Sequence, residues 1–233
     1  MNVFSKSKKN LTFCNKLLRF VLLSILVAVS ALLISCKKTV NRFDSVSEIR
    51  SNILLASSDE FSLRIYIGER EVPYSTDGVA RETSPRFDAY MVAPNGTKTY
   101  NFHFKIGSET YGGEMSYDNV KGEYYYFCSL AVGQLDELSC EISYDEERIV
   151  LTAKSVLTEQ TLSPKQVLQK LEELETDFFA SLTDRYGFAG EIYVRLIFED
   201  KPYYYVGVID RKGNASAFLL NAETGKLLAK RTK

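Results

Sequence analysis

Thr161-Leu162-Ser163-Pro164-Lys165-Gln166-Val167-Leu168 is the point at which the chain changes its hydrophobic period. Ser163 is placed to cap a helix, Pro164 suits the first helical position, and Gln166 completes a capping box three residues after the cap. Leu168, Leu171, Leu174, Phe178, Phe179 and Leu182 then recur at intervals of three and four, with Lys165, Lys170, Glu172, Glu173 and Asp177 on the opposite side. This spacing predicts one amphipathic helix, ended by Gly187 in a left-handed C-cap. Strands are expected after it over 191–198, 203–209, 215–220 and 226–229. A helix followed by an antiparallel sheet of three or four strands makes an α+β unit over residues 162–233.

Upstream of the switch the period is two. Phe61, Leu63, Ile65 and Ile67 alternate with Ser62, Arg64 and Tyr66, as a half-buried strand requires. Tyr100, Phe102, Phe104 and Ile106 do the same, which places His103 on the solvent side. Asn95-Gly96 suits a turn of positive φ and predicts a hairpin between 87–92 and 99–106. Further strands near 110–117, 122–128, 138–144 and 148–154 bring the total to about seven. That number of short strands separated by turns predicts an immunoglobulin-like β-sandwich over residues 60–155. Residues 36–59, rich in serine with scattered apolar positions, read as a tether. The fold class expected is therefore mainly β with an α+β unit, in two domains.

The N-terminus has another character. Lys6, Lys8, Lys9, Lys16 and Arg19 precede an apolar run from Phe20 to Ile34, the order of an export signal. The run is about 15 residues long, short of the ~20 needed to span a bilayer. Without residues 1–35, which hold those five basic residues and no acid, the chain has 24 basic against 30 acidic residues, formally −6. A chain of that balance does not suit nucleic acid as a partner.

Leu33-Ile34-Ser35-Cys36 resembles the lipobox of bacterial lipoproteins. The resemblance implies removal of residues 1–35 as a signal peptide and lipidation of Cys36, and hence a chain held to the membrane by its acyl groups on the extracytoplasmic side, at the cell surface or in the periplasm. Residues 163–230, a helix and strands ending in Leu220-Asn221-Ala222-Glu223-Thr224-Gly225-Lys226-Leu227-Leu228, resemble PepSY-type domains, with Asn221 where that family usually has Asp. This second resemblance implies a role in restraining or regulating exported peptidases.

Among the chemistry-bearing residues, Cys128 and Cys140 remain as an even pair in an exported chain and are candidates for a disulfide. The alternative is two buried thiols. With 15 tyrosines, 14 phenylalanines and no tryptophan, the triplets Tyr124–Tyr126 and Tyr203–Tyr205 offer Tyr125 and Tyr204 as binding aromatics, against the plainer reading that they pack the sheets. The acids Glu137, Glu141, Asp145, Glu146 and Glu147 lack the loop spacing of a calcium site and read as a charged turn. Glu172, Glu173, Glu175 and Asp177 could serve a carboxylate-dependent hydrolase, but helical spacing puts them on a surface. No catalytic, metal or cofactor motif is present, and His103 is the single histidine. The expected function is a non-enzymatic module that binds another envelope protein or a peptide.

Overall fold

The computed structural model describes residues 41–232; the expected signal peptide, Cys36 and the start of the expected tether lie outside the described residues. After a 3₁₀ turn at Arg42–Ser45 the chain forms β1 (Val46–Ser57), β2 (Ser62–Glu71), β3 (Thr83–Val92), β4 (Asn101–Ile106), β5 (Glu109–Glu114) and β6 (Ser116–Asp118). β7 (Glu123–Cys128), β8 (Glu137–Tyr144) and β9 (Glu147–Ser155) follow. Two helices, α1 (Pro164–Leu174) and α2 (Thr176–Ser181), lead through the hairpin β10 (Thr183–Asp184) and β11 (Gly187–Phe188) to β12 (Gly190–Phe198), β13 (Pro202–Asp210), β14 (Ala215–Asn221) and β15 (Leu227–Arg231). The protein is mainly β, with a large, largely antiparallel sheet and a small helical part.

Val46–Ser57, within the segment expected to be a tether, is instead the strand that joins the rest. β2 pairs antiparallel along one side of β1. Its other side is divided: Val46–Arg50 pairs in parallel with Ile192–Arg195 of β12, and Leu54 and Leu55 pair antiparallel with Ser155 and Lys154 of β9. The strand shows no simple alternation: Ser47, Glu48 and Asn52 are buried along with Ile53 and Leu54, while Ile49, Arg50 and Ser51 between them are half-buried. A register shift between Arg50 and Asn52 breaks the period again.

From β1 the sheet runs one way through β2, β3, β7 and β6 and the other way through β9, β8, β4 and β5. It is one continuous sheet, nearly barrel-shaped, in place of the two separate sheets of an immunoglobulin-like sandwich. The inward face forms a single aromatic core in which Phe87 of β3 stacks on Phe104 of β4 at 4.3 Å and Phe61 meets Tyr100 edge-on at 5.9 Å. Each such side chain contributes about 1.5–3 kcal/mol by leaving water. The hairpin expected at Asn95-Gly96 does not form: β3 pairs with β2 and β7, and β4 with β5 and β8. Gly96 does not take a positive φ. Its missing Cβ instead makes room for the Tyr117 hydroxyl, which would stand 2.6 Å away.

In the C-terminal part, α1 lays Val167, Leu168 and Leu171 against the sheet of β12 and β13. The capping box forms as expected: the Ser163 hydroxyl accepts from the Gln166 amide at 3.3 Å and Gln166 Oε1 accepts from the Ser163 amide at 2.8 Å. The single helix expected up to Gly187 is interrupted. Glu175 leaves helical geometry at φ −121° and ψ 42°, and Thr176 donates its hydroxyl back to the Glu172 and Glu173 carbonyls, competing with the helical ladder. Gly187 therefore lies in the β10–β11 hairpin, at φ 126°. Asn41–Lys233 form one compact unit, in which the expected boundary near 155–162 lies in the connection between β9 and α1.

Candidate binding face

The register around β1 brings four arginines onto the outer face of the sheet. Arg195 of β12 stands beside Arg50 of β1; Arg50 stands opposite Gly68 of β2, and Gly68 opposite Arg86 of β3. In the next row Tyr193, Glu48, Arg70 and Ser84 follow one another in the same way. Gly68 is required here, since a Cβ would lie 1.8 Å from the Ile49 carbonyl oxygen, where β1 presses in at its register shift. The gap it leaves is the floor of a cavity of ≈ 50 Å³ between Arg50, Arg70 and Arg86, with Tyr66, Asp88 and Tyr90 in its wall.

Aromatic rings separate these charges. The Arg50 guanidinium lies 3.8 Å from the centre of the Tyr66 ring, Tyr66 packs on Tyr90 at 5.6 Å, and Arg64 lies within 5.5 Å and 5.7 Å of the two rings. Arg70 covers Tyr74 at 4.9 Å and Arg86 covers Phe127 at 5.1 Å. Contacts of this kind are worth about 0.5–2 kcal/mol each, more as they leave water. Tyr125, opposite Tyr90 across the β3–β7 pair, extends the face. It is 37 % exposed and Phe127 58 %, so the edge of this band meets solvent.

Two of these four arginines, and Arg64 beside them, are matched by acids. Arg195 makes a two-pronged contact with Glu48 at 2.9 and 2.7 Å and a third bond to the Tyr74 hydroxyl. Burial pulls its pKa down, but Glu48 and Tyr74 outweigh this and raise it. Arg86 Nε donates to Asp88 at 2.7 Å, and Arg64 to Glu123 at 3.1 Å. Arg50 and Arg70 make no ion pair among the described residues, and burial lowers the pKa of Arg50.

Beside this face, residues 72–82 cover a second group. Glu71 is fully buried and accepts from the amides of Ser75 and Arg81 at 2.9 and 3.2 Å. Glu191 is fully buried too, with both carboxylate oxygens unpartnered. The Gly78 and Val79 amides favour its charged form without closing a hydrogen bond. Burial, the Glu71 charge and that of Asp77 together push its pKa up to about 7.

The residues singled out from sequence are placed differently. Tyr125 belongs to the face. Tyr204 is corrected: it is 1 % exposed beneath the helix side of the sheet, with its hydroxyl donating to the Leu162 carbonyl at 2.9 Å, and offers no contact to a partner. Cys128 and Cys140 are corrected as well, since both are free thiols. Cys128 stands opposite Phe87 and Cys140 opposite Phe104 and Leu151, so each sits among rings and aliphatic groups on its own wall of the core. Two of the four acids around the helices are tied up singly, Glu172 to Arg42 at 2.8 Å and Glu175 to Lys230 at 3.0 Å. Asp145 occupies the β8–β9 turn and pairs with Lys98. Sequence reading missed the arginines because no local spacing unites positions 50, 70, 86 and 195. Their one local sign was the alternation of Arg64, Tyr66 and Gly68 on the polar side of β2.

No family model, curated protein or solved structure matches the chain. Among the described residues no helix is long and apolar enough to cross a membrane, and no cluster of histidine, cysteine and acidic groups is arranged to hold a metal.

Proposed function

We propose that the protein is a lipoprotein of the bacterial envelope, tethered through Cys36, that acts as a non-enzymatic binding module through its Arg–Tyr face. The partner is another envelope protein or a peptide with acidic groups. The observation that supports this is the band of arginines and tyrosines from Arg195 to Phe127, in which Arg50 and Arg70 make no ion pair among the described residues while the edge rings are exposed. Arginine and tyrosine are the side chains that interfaces concentrate at their centres. With β1 starting ten residues after Cys36, the anchor would hold this face close to the membrane surface.

Cross-linking in the native envelope tests the reading. The Tyr125→Ala/Phe127→Ala double variant is expected to lose most of the cross-linked partner while keeping the cooperative unfolding of the parent. An unchanged cross-linking pattern in that variant contradicts it. Mass spectrometry of the N-terminal peptide tests the anchor, and an unmodified Cys36 would remove it.

A second reading is regulation of exported peptidases through residues 162–233. It is favoured by the order of elements there, α1 and α2 followed by β12 to β15.

A further inference from the structure

Residues 72–82, between β2 and β3, form a strap over Glu191 with little apolar footing: Val72, Tyr74 and Val79 are exposed, and Gly78 alone in the strap is fully buried. Polar contacts hold it instead. Glu71 accepts from the Ser75 and Arg81 amides, the Tyr193 hydroxyl donates to the Ser75 carbonyl at 3.5 Å, and the Tyr74 hydroxyl accepts from Arg195 at 2.9 Å. Gly78 presses on the β13–β14 turn, where a Cβ would stand 2.3 Å from the Asp210 carbonyl oxygen. A segment with so few buried apolar contacts is among the first to open locally.

Beneath the strap both oxygens of Glu191 are buried and unpartnered. The charges that face it are Glu71 from β2 and Asp77 and Arg81 from the strap, and Arg81 already serves the other two acids. Among the described residues no other element packed there supplies a counter-charge. On β13 Ile209 stands opposite, on β12 Tyr193 follows on the same side, and Asp210 accepts from amides of its own turn. On β1 Glu48 holds Arg195, while Arg42 and Asp44 of the 3₁₀ turn are engaged by Glu172 and Asn41. A carboxylate so placed ionises at high cost unless water reaches it, and lifting the strap admits water.

We propose that residues 72–82 are a pH-governed strap over one end of the Arg–Tyr face, closed while Glu191 holds its proton and lifting when Glu191 ionises. Lifting carries Tyr74 away from Tyr193, on which its ring packs at 6.2 Å, and from the Arg70 guanidinium 4.9 Å above it. Arg70 and a donor of Arg195 are then offered to an acidic partner. This rests on the reading of the face as a binding surface and adds how access to it is controlled. In the closed form burial, Glu71 and Asp77 raise the pKa of Glu191 to about 7, whereas the open strap returns it to the ordinary glutamate range. The closed form thus binds the proton more tightly, and opening grows between about pH 4.5 and pH 7 and levels off above.

Hydrogen exchange of the full lipidated chain in neutral detergent micelles, corrected for the intrinsic rate, tests this. The protection of the Ser75 and Arg81 amides is expected to fall about thirtyfold from pH 5 to pH 7 while β2 and β12 keep theirs, and Glu191→Gln to abolish the fall. Phenylglyoxal at pH 8 is expected to label Arg70 several-fold faster in the parent than in Glu191→Gln, and to label Arg185, exposed in the β10–β11 hairpin, equally in both. Flat protection across this range overturns the proposal. So does a parallel fall throughout β2 and β12, which would mean that the whole sheet opens to relieve the charge, and so does equal labelling of Arg70. Should Glu191→Gln fail to fold, the pH profile of the parent decides. If partner cross-linking through Tyr125 and Phe127 holds while the strap does not respond to pH, this inference alone falls.

Discussion

Glu191 is fully buried with neither carboxylate oxygen hydrogen-bonded. Its pKa is about 7 in the folded protein, above the ordinary glutamate range, because burial, Glu71 and Asp77 all oppose its charge. The folded state therefore holds a proton that the unfolded chain has released, and stability falls as pH rises from about 4.5 to about 7. Glu191→Gln is expected to stabilise the protein at pH 8 by about 1–3 kcal/mol and to do almost nothing at pH 4.5, measured by urea unfolding at both values. A destabilised variant at pH 8 would show that the charge has a partner. The cysteines give a second expectation. Burial pushes the Cys140 thiol up to about 12 and raises Cys128 less far. Iodoacetamide at pH 8 should leave Cys140 unmodified in the native protein and label both residues after denaturation without reductant. Failure to label either in denaturant would restore the disulfide. Spacing could show that both cysteines point inward, but not that they face different strands.

At the scale of elements, the glycine under the register shift and the helix cap make contrasting predictions. Gly68→Ala forces a methyl group into the Ile49 carbonyl, a backbone atom that cannot swing aside. The expected cost is about 3 kcal/mol or more, read as a fall in the urea midpoint. Ser163→Ala removes only one acceptor of an exposed capping box and should cost about 1 kcal/mol. Equal costs for the two would contradict the tight contact at Gly68. The cap was legible in the sequence because its signal lies within four residues, as were the alternating strands Phe61–Ile67 and Thr99–Ile106. The break at Glu175 was not, because the apolar spacing of Leu174, Phe178 and Phe179 continues across it while the Thr176 hydroxyl undoes the backbone. Asn95-Gly96 misled for a related reason: a glycine demanded by a neighbouring Tyr117 ring looks, in sequence, like a glycine demanded by a turn.

For the whole molecule, β1 decides the architecture. A strand with a register shift in its middle, which changes partner from β12 to β9 along one side, has neither the alternation of a half-exposed strand nor the unbroken apolar run of a parallel core strand. Its polar residues are held by partners on other elements: Ser47 donates to the Ile192 carbonyl at 3.5 Å, Glu48 holds Arg195, Ser51 donates to the Ile67 carbonyl at 3.2 Å, and Asn52 donates to the Leu135 carbonyl at 2.9 Å and accepts from the Ser155 hydroxyl at 2.7 Å. Those partners lie far along the chain, so no local pattern could reveal them. The Arg–Tyr face was hidden for the same reason, since its continuity from Arg195 to Arg86 exists only because β1 stands between β12 and β2. The shared strand also predicts that residues 155–162 resist limited proteolysis, because Val156 bonds to Ile53 and Leu162 to Ala222. The most direct measurement is native-state hydrogen exchange of the amides from Ile49 to Leu55. They are expected to exchange as slowly as those of β2 and β12, through opening of the whole sheet. Exchange of this segment within seconds, while β2 and β12 stay protected, would make it a tether and contradict the account.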